Sequence, residues 1–315
     1  MPEGPEIRRA ADRIEQAVVG RIATEVRFSF SHLKRYEKRL LGQVVAAVET
    51  RGKAMLVHFE GGLCVYAHSQ LYGRWYVVSK GKLPRTNRSL RFEIHNHNKS
   101  ALLYSASEID VLTPAQVERH PFLSKLGPDV LAKGLEEEAI FERVTDPRFA
   151  RRQLQALLLD QGFVAGLGNY LRSEILFVAG LHPTCRAGKL SDVEGRTLAH
   201  CILRVARQAY RMGGITNDPE RAMALKAEGM RRAQYRHHFF IRDGLACWTC
   251  NAEVRREVLG GRKIFHCPRC QPPPRRPASS RGGRKALSLR QSRHADERNP
   301  WKAWHRCAAF SDSVG

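Results

Sequence analysis

The chain has 315 residues, 43% hydrophobic and 8% aromatic, which suits a globular protein large enough for two cores. Its 53 Lys and Arg against 31 Asp and Glu give a net charge of +22, so a polyanionic partner such as nucleic acid is expected and a membrane surface is the weaker alternative. No apolar run approaches the ~20 residues of a membrane span, and the acidic start lacks the basic-then-apolar pattern of a signal peptide, so a cytosolic or nucleoid-associated monomer is expected.

The first six residues are Met1-Pro2-Glu3-Gly4-Pro5-Glu6. Loss of Met1 would expose Pro2 as a secondary α-amine. An α-amine titrates near ~8 and a lysine near ~10.4, so at neutral pH about a tenth of the former is unprotonated and nucleophilic. Attack on an aldehyde-like carbon would form an iminium, an electron sink that promotes elimination. Glu3 stands beside it to move protons. Pro and Glu are also favoured in a helix's first turn, and on the hexapeptide alone that plainer reading stands ahead.

Ile7, Ala10, Ala11, Ile14, Ala17 and Val18 recur at helical spacing, predicting a helix over Pro5–Val18. Runs rich in β-branched and aromatic residues follow and predict strands at Glu25–Phe30, Gln43–Glu49, Ala54–Phe59, Leu63–His68, Arg74–Val78, Leu90–His95 and Ala101–Tyr104. Gly61-Gly62 suits a hairpin turn with positive φ at both central residues. The pattern predicts an antiparallel β-sandwich or barrel opened by one helix, over residues 1–122.

Beyond Thr113 the chain predicts helices at Pro114–His120, Leu135–Val144, Arg151–Gly162, Tyr170–Ala179 and Ser191–Met212. A second, helical domain is therefore expected over 123–236, for an α+β fold overall. The turn Gly166-Leu167-Gly168-Asn169 presents backbone N–H groups that suit a phosphate, a weak signal on its own. Ile215–Arg236 is polar and basic without a clean period and is expected to be a mobile loop.

In residues 237–271, Cys247-x-x-Cys250 and Cys267-x-x-Cys270 are separated by 16 residues, the spacing of a β-hairpin that brings four thiolates onto one Zn2+. A redox dithiol pair is the poorer match. Arg255, Arg256, Arg262 and Lys263 give the hairpin a basic tip, suited to a nucleic-acid groove or simply solvated. So small a segment is expected to take most of its folding energy from the metal. Residues 272–315 are rich in Pro, Ser, Gly and Arg and read as a disordered tail. The tail holds +7 of the charge and leaves +15 on residues 1–271, so the folded part is basic in its own right.

Three separated pieces, the Pro2-Glu3-Gly4-Pro5-Glu6 start, the Gly-x-Gly-Asn-Tyr turn and the four-cysteine hairpin with Arg262 five residues before its third cysteine, resemble the endonuclease VIII branch of the formamidopyrimidine-DNA glycosylase superfamily. The likeness runs from Met1 to Gln271. It implies a β-sandwich joined to a helix-two-turn-helix domain and a zinc finger, with damaged double-stranded DNA in the cleft between them. It further implies Pro2 as nucleophile on C1′, Glu3 as proton donor, Lys53 in the elimination step and Arg262 on the lesion's phosphate. Asn169 matches a phosphate-binding position, and Lys125 stands where a DNA-binding arginine is usual, keeping the charge but losing the bidentate fork.

Gln70-Leu71-Tyr72 is similar to the triplet that fills the gap left by an extruded base: an amide for the orphaned base, an aliphatic wedge and a stacking ring. Standing alone it would read as a strand end feeding the core. That triplet favours oxidised pyrimidines, with oxidised purines as the alternative. A zinc protein that binds damaged DNA without chemistry is the rival from another class. Ala246 and Asn251 replace the usual Pro and Gly of the knuckle; Asn tolerates left-handed backbone, so the knuckle is expected to survive. The Ile215–Arg236 loop departs from the family pattern, which leaves lesion choice open there.

Overall fold

The computed structural model describes residues 2–274; Met1 and residues 275–315 lie outside it, and with them the expectations about Met1 removal and about the tail beyond Pro274. Helix α1 (Gly4–Val18) opens the fold, with Pro5 in its first turn and Ile7, Ala11, Ile14, Ala17 and Val18 on its buried side.

Eight strands follow: β1 (Glu25–Phe28), β2 (Val45–Arg51), β3 (Ala54–Phe59), β4 (Cys64–His68), β5 (Arg74–Ser79), β6 (Leu90–His95), β7 (Lys99–Tyr104) and β8 (Glu108–Leu112). A short helix, α2 (Glu37–Leu40), lies between β1 and β2. The strands form two antiparallel sheets, ordered β2-β3-β4-β8 and β1-β6-β7-β5. Alternate residues of each sheet, among them Met55, Val57 and Val65 on one and Phe92, Ile94 and Leu103 on the other, share a buried core with the stripe of α1.

Strand β8 is absent from the sequence expectation. Glu108 and Asp110 dilute its apolar signal, yet they alternate with buried Ile109 and Val111, which is the period-2 pattern of a sheet edge. The hairpin turn before β4 needs positive φ only at Gly62 (+80°), not at Gly61 as well.

The remaining elements are α3 (Pro114–Glu118), α4 (Glu137–Thr145), α5 (Leu154–Leu157), α6 (Asn169–Val178), α7 (Asp192–Arg211), α8 (Pro219–Ala227), α9 (Arg232–Tyr235) and the antiparallel hairpin β9 (Arg255–Leu259) with β10 (Arg262–His266). The helix expected over Arg151–Gly162 shrinks to α5. Asp160 turns the chain by accepting the Gly162 N–H at 2.8 Å, and two successive turns then lead into α6.

The expected loop over Ile215–Arg236 carries two helices. Asp218-Pro219 is a cap followed by a first-turn proline, and the Asp218 carboxylate accepts the Arg221 N–H at 2.9 Å. With only Ala222 and Leu225 as its buried face, α8 lacks a legible helical period.

The cysteine hairpin is not a separate core. Its Val254, Ile264 and Phe265 are buried together with Leu171, Ile175 and Phe177 of the helical domain. The expectation of a hairpin with too little core of its own therefore gives way to apolar packing shared with the helical domain.

Candidate active site and nucleic-acid interface

The amino end of α1 docks on the turn before α6. Gly4 N–H donates to the Gly166 carbonyl at 2.8 Å, and Gly166 is at φ +96°. Gly168 leaves the room that Glu3 fills: a Cβ there would stand 2.3 Å from the Glu3 carboxyl carbon. The Glu3 side chain, 2% exposed, accepts the N–H groups of Tyr170 at 2.8 Å and Leu171 at 3.2 Å. The N–H groups that the sequence offered to a phosphate thus hold a carboxyl group of the same chain.

Burial pushes the Glu3 pKa up to about 7, against the pull of nearby Lys53 and of the two N–H donors. Lys53, 9% exposed, is moved the other way: burial lowers its pKa, opposed by Glu3 and reinforced by Arg262. Both shifts favour the neutral form, as expected for two ionisable groups taken out of water together. Lys53 is positioned by its turn, where Gly52 N–H donates to the Asp129 carboxylate at 2.6 Å; the other Asp129 oxygen accepts Leu131 N–H at 2.8 Å. Asp129 is a site-supporting residue that no motif flagged.

Two cavities meet at this point. One, about 490 Å³, is lined by Pro2, Glu6, Leu71, Tyr72, Trp75 and Arg236; the other, about 410 Å³, by Glu3, Leu71, Asn169, Tyr170, Arg236 and Arg262. Leu71 and Tyr72 are 59% and 67% exposed. Arg236 closes a polar, basic stretch in which no motif singles it out; its guanidinium pairs with Glu6 at 2.7 Å, and Glu6 in turn accepts the Glu3 N–H at 3.1 Å.

Asn169 and the hairpin are joined through Arg172, which is fully buried in α6. Its guanidinium donates to Asn169 Oδ1 at 2.7 Å and to the Lys263 carbonyl at 2.9 Å, while Asn169 Nδ2 donates to that same carbonyl at 3.0 Å. Burial and the neighbouring Arg262 lower the Arg172 pKa to about 10. Arg172 carried no signal in the sequence, since a lone helical arginine reads as solvated.

Lys125 is exposed at the end of a 3₁₀ turn, and neither Lys125 nor Gln70 lines either cavity. Gln70, at φ +43°, is instead hydrogen-bonded to Ser107 and Glu108.

The sulfurs of Cys247, Cys250, Cys267 and Cys270 all lie within 4.8 Å of one another, with 3.9 Å between Cys247 and Cys270 and 3.4 Å between Cys250 and Cys267. A tetrahedral zinc with Zn–S of about 2.3 Å needs sulfurs roughly 3.8 Å apart, so the four thiols fit such an ion. Thr249 N–H and Cys270 N–H point at Cys247 Sγ and Cys267 Sγ, at 3.4 and 3.3 Å, the donors a thiolate would keep. Asn251 takes the left-handed conformation, φ +59°, and accepts the role of the usual glycine.

Residues 1–106 match the family described as Formamidopyrimidine-DNA glycosylase N-terminal domain, and residues 126–220 match the Formamidopyrimidine-DNA glycosylase H2TH domain. Endonuclease 8 of Salmonella arizonae and Endonuclease 8 of Escherichia coli are each 47% identical over 271 residues, covering 86% of this chain and all of theirs. Among solved structures, Lactococcus lactis Fpg in complex with abasic-site DNA superposes with a TM-score of 0.71 at 20% identity, over 86% of this chain and 100% of that one. MutM in complex with DNA containing carbocyclic 8-oxo-G gives 0.70 at 20% identity, over 86% and 99%. With a helix-mounted amino terminus against the α6 turn and full-length relatives at this identity, the chain belongs to the formamidopyrimidine-DNA glycosylase and endonuclease 8 family.

Proposed function

We propose that this member of a DNA glycosylase and abasic-site lyase family removes oxidised pyrimidines from double-stranded DNA and cuts the strand by β- and then δ-elimination. The Pro2 amine, once Met1 is gone, attacks C1′; the bond from C1′ to the base breaks and the base leaves. Glu3 passes its proton to the ring oxygen as the sugar opens to the iminium. Lys53, biased toward its neutral amine by burial, is suited to take the C2′ proton, and Arg262 to hold the lesion's phosphate.

The observation that carries this reading is Glu3. A carboxyl beside the amino terminus, poised to titrate near neutrality and held by two N–H bonds at a cavity mouth, is a general acid in waiting. In the same reading Leu71 and Tyr72 fill the gap in the duplex, Gln70 faces the orphaned base, Asn169 and Lys125 contact phosphates, and zinc crosslinks the four cysteines.

The test uses duplexes with thymine glycol, 8-oxoguanine or an abasic site, and reads both turnover and the chemistry of the cut ends. Faster release of thymine glycol, with phosphates on both sides of a one-nucleotide gap, is expected. Faster release of 8-oxoguanine would transfer the preference to purines. An unsaturated aldehyde left as the final 3′ end would remove the δ step.

A further inference from the structure

The Gln70 side chain is tethered, whereas the side chains of Leu71 and Tyr72 stand exposed. Its Nε2 donates to Glu108 Oε2 at 2.9 Å, its Oε1 accepts from Ser107 Oγ at 3.0 Å, and its backbone N–H reaches His68 Nδ1 at 3.3 Å. Glu108 is itself held, since its other oxygen accepts the Tyr66 hydroxyl at 2.8 Å and it sits opposite His68 where β8 begins. Tyr66 is fully buried. The support therefore runs from the sandwich core, through an edge strand, to the amide.

A primary amide has an oxygen face and a nitrogen face of nearly equal shape, so something must decide which way it points. Serine cannot decide, because its hydroxyl both donates and accepts. A carboxylate only accepts, so Glu108 dictates that the nitrogen turns toward it. Each bond uses part of the amide's capacity: one N–H and one lone pair stay free, in an order Glu108 has set.

We infer that Glu108, assisted by Ser107, fixes the orientation of the Gln70 amide and thereby sets which base the enzyme prefers opposite the lesion. This rests on the reading in which Gln70 faces the orphaned base. A base edge offers its donors and acceptors in a fixed order, so an amide locked in one orientation matches some bases and opposes others. An amide free to flip would accommodate all four more evenly. Glu108 is a positioning residue here: it acts through Gln70 and touches no reacting atom.

The experiment measures kcat/KM on duplexes with dihydrouracil opposite each of the four bases, for the wild type, Gln70→Ala, Glu108→Gln, Ser107→Ala and the double variant Gln70→Ala/Glu108→Gln. The wild type is expected to rank the four bases, and Gln70→Ala to flatten that ranking. Glu108→Gln, whose amide donates or accepts, is expected to compress the spread on the order of tenfold, the lower range of one bidentate base contact. Ser107→Ala should compress it less, and the double variant should match Gln70→Ala. A ranking unchanged in Glu108→Gln but flattened in Gln70→Ala, or an equal loss at all four bases in Glu108→Gln, overturns the role of Glu108 and leaves that of Gln70 standing. No ranking in the wild type, or one that survives Gln70→Ala, overturns both.

Discussion

Glu3 is pulled in two directions. The amino end of α6 and two N–H donors favour its charged form, and burial favours the neutral one; burial wins, at a pKa of about 7 against an ordinary 4.5. Because the folded value is raised, the stability Glu3 contributes is fully present below about pH 4.5 and is lost as pH rises through about 7. Relative to Glu3→Gln, the wild type should lose on the order of 3 kcal/mol over that window, at about 1.4 kcal/mol per pKa unit. Denaturant midpoints of both proteins from pH 4.5 to 8 check this, and parallel curves would speak against it. Base release needs an unprotonated Pro2 amine and a protonated Glu3, so in the wild type it should rise from pH 4.5, fall again above about 7, and be nearly absent in Glu3→Gln. Gly168→Ala tests placement rather than charge: its Cβ would stand 2.3 Å from the Glu3 carboxyl carbon. A displacement near 1 Å is expected to lower kcat/KM roughly a hundredfold, with little change in the circular dichroism spectrum.

At the scale of elements, the hairpin and α6 act as one unit through the Asn169, Arg172 and Lys263 bonds and a common apolar core. Arg172→Met should take a donor from Asn169 Oδ1 and from the Gln155 carbonyl, which Arg172 reaches at 3.0 Å, while the Lys263 carbonyl keeps Asn169 Nδ2; the cost is about 1–3 kcal/mol for each acceptor left unsatisfied. Hydrogen exchange of β9 and β10 amides should quicken; protection equal to the wild type would argue that the hairpin docks by packing alone. Metal removal by a chelator should abolish binding to damaged duplexes while β2-β3-β4-β8 and β1-β6-β7-β5 keep their exchange protection. Retained affinity after verified metal loss would contradict it. The elements also show what was legible beforehand. α1 follows from its helical period, seven strands from runs rich in β-branched and aromatic residues, buried on both faces in β3, β4 and β7, and the cysteine hairpin from its spacing. β8, α8 and the shortened α5 did not: two edge acids dilute the apolar alternation of β8, α8 buries only Ala222 and Leu225, and the Asp160–Gly162 turn interrupts the helical run after α5.

For the whole molecule, the proposed site residues Pro2, Glu3, Lys53, Leu71, Asn169 and Arg262 come from five regions of the sequence and converge only when the sandwich and the helical domain dock. Their chemical types were visible in the sequence. Their partners Asp129, Arg172 and Arg236 were not, because a buried polar residue is recognised by what it touches. The charge of +15 on residues 1–271 implies that affinity for duplex DNA falls linearly in log–log terms with salt, by about 0.9 per phosphate contacted.

If chemistry begins at the proline nitrogen, borohydride should capture it there. The measurement incubates the protein with an abasic-site duplex and borohydride, digests the product, and maps the adduct by mass spectrometry. A reduced covalent link is expected at Pro2 of the peptide lacking Met1, and none in protein that retains Met1. An adduct on a lysine instead, or no adduct despite tight binding, would contradict it.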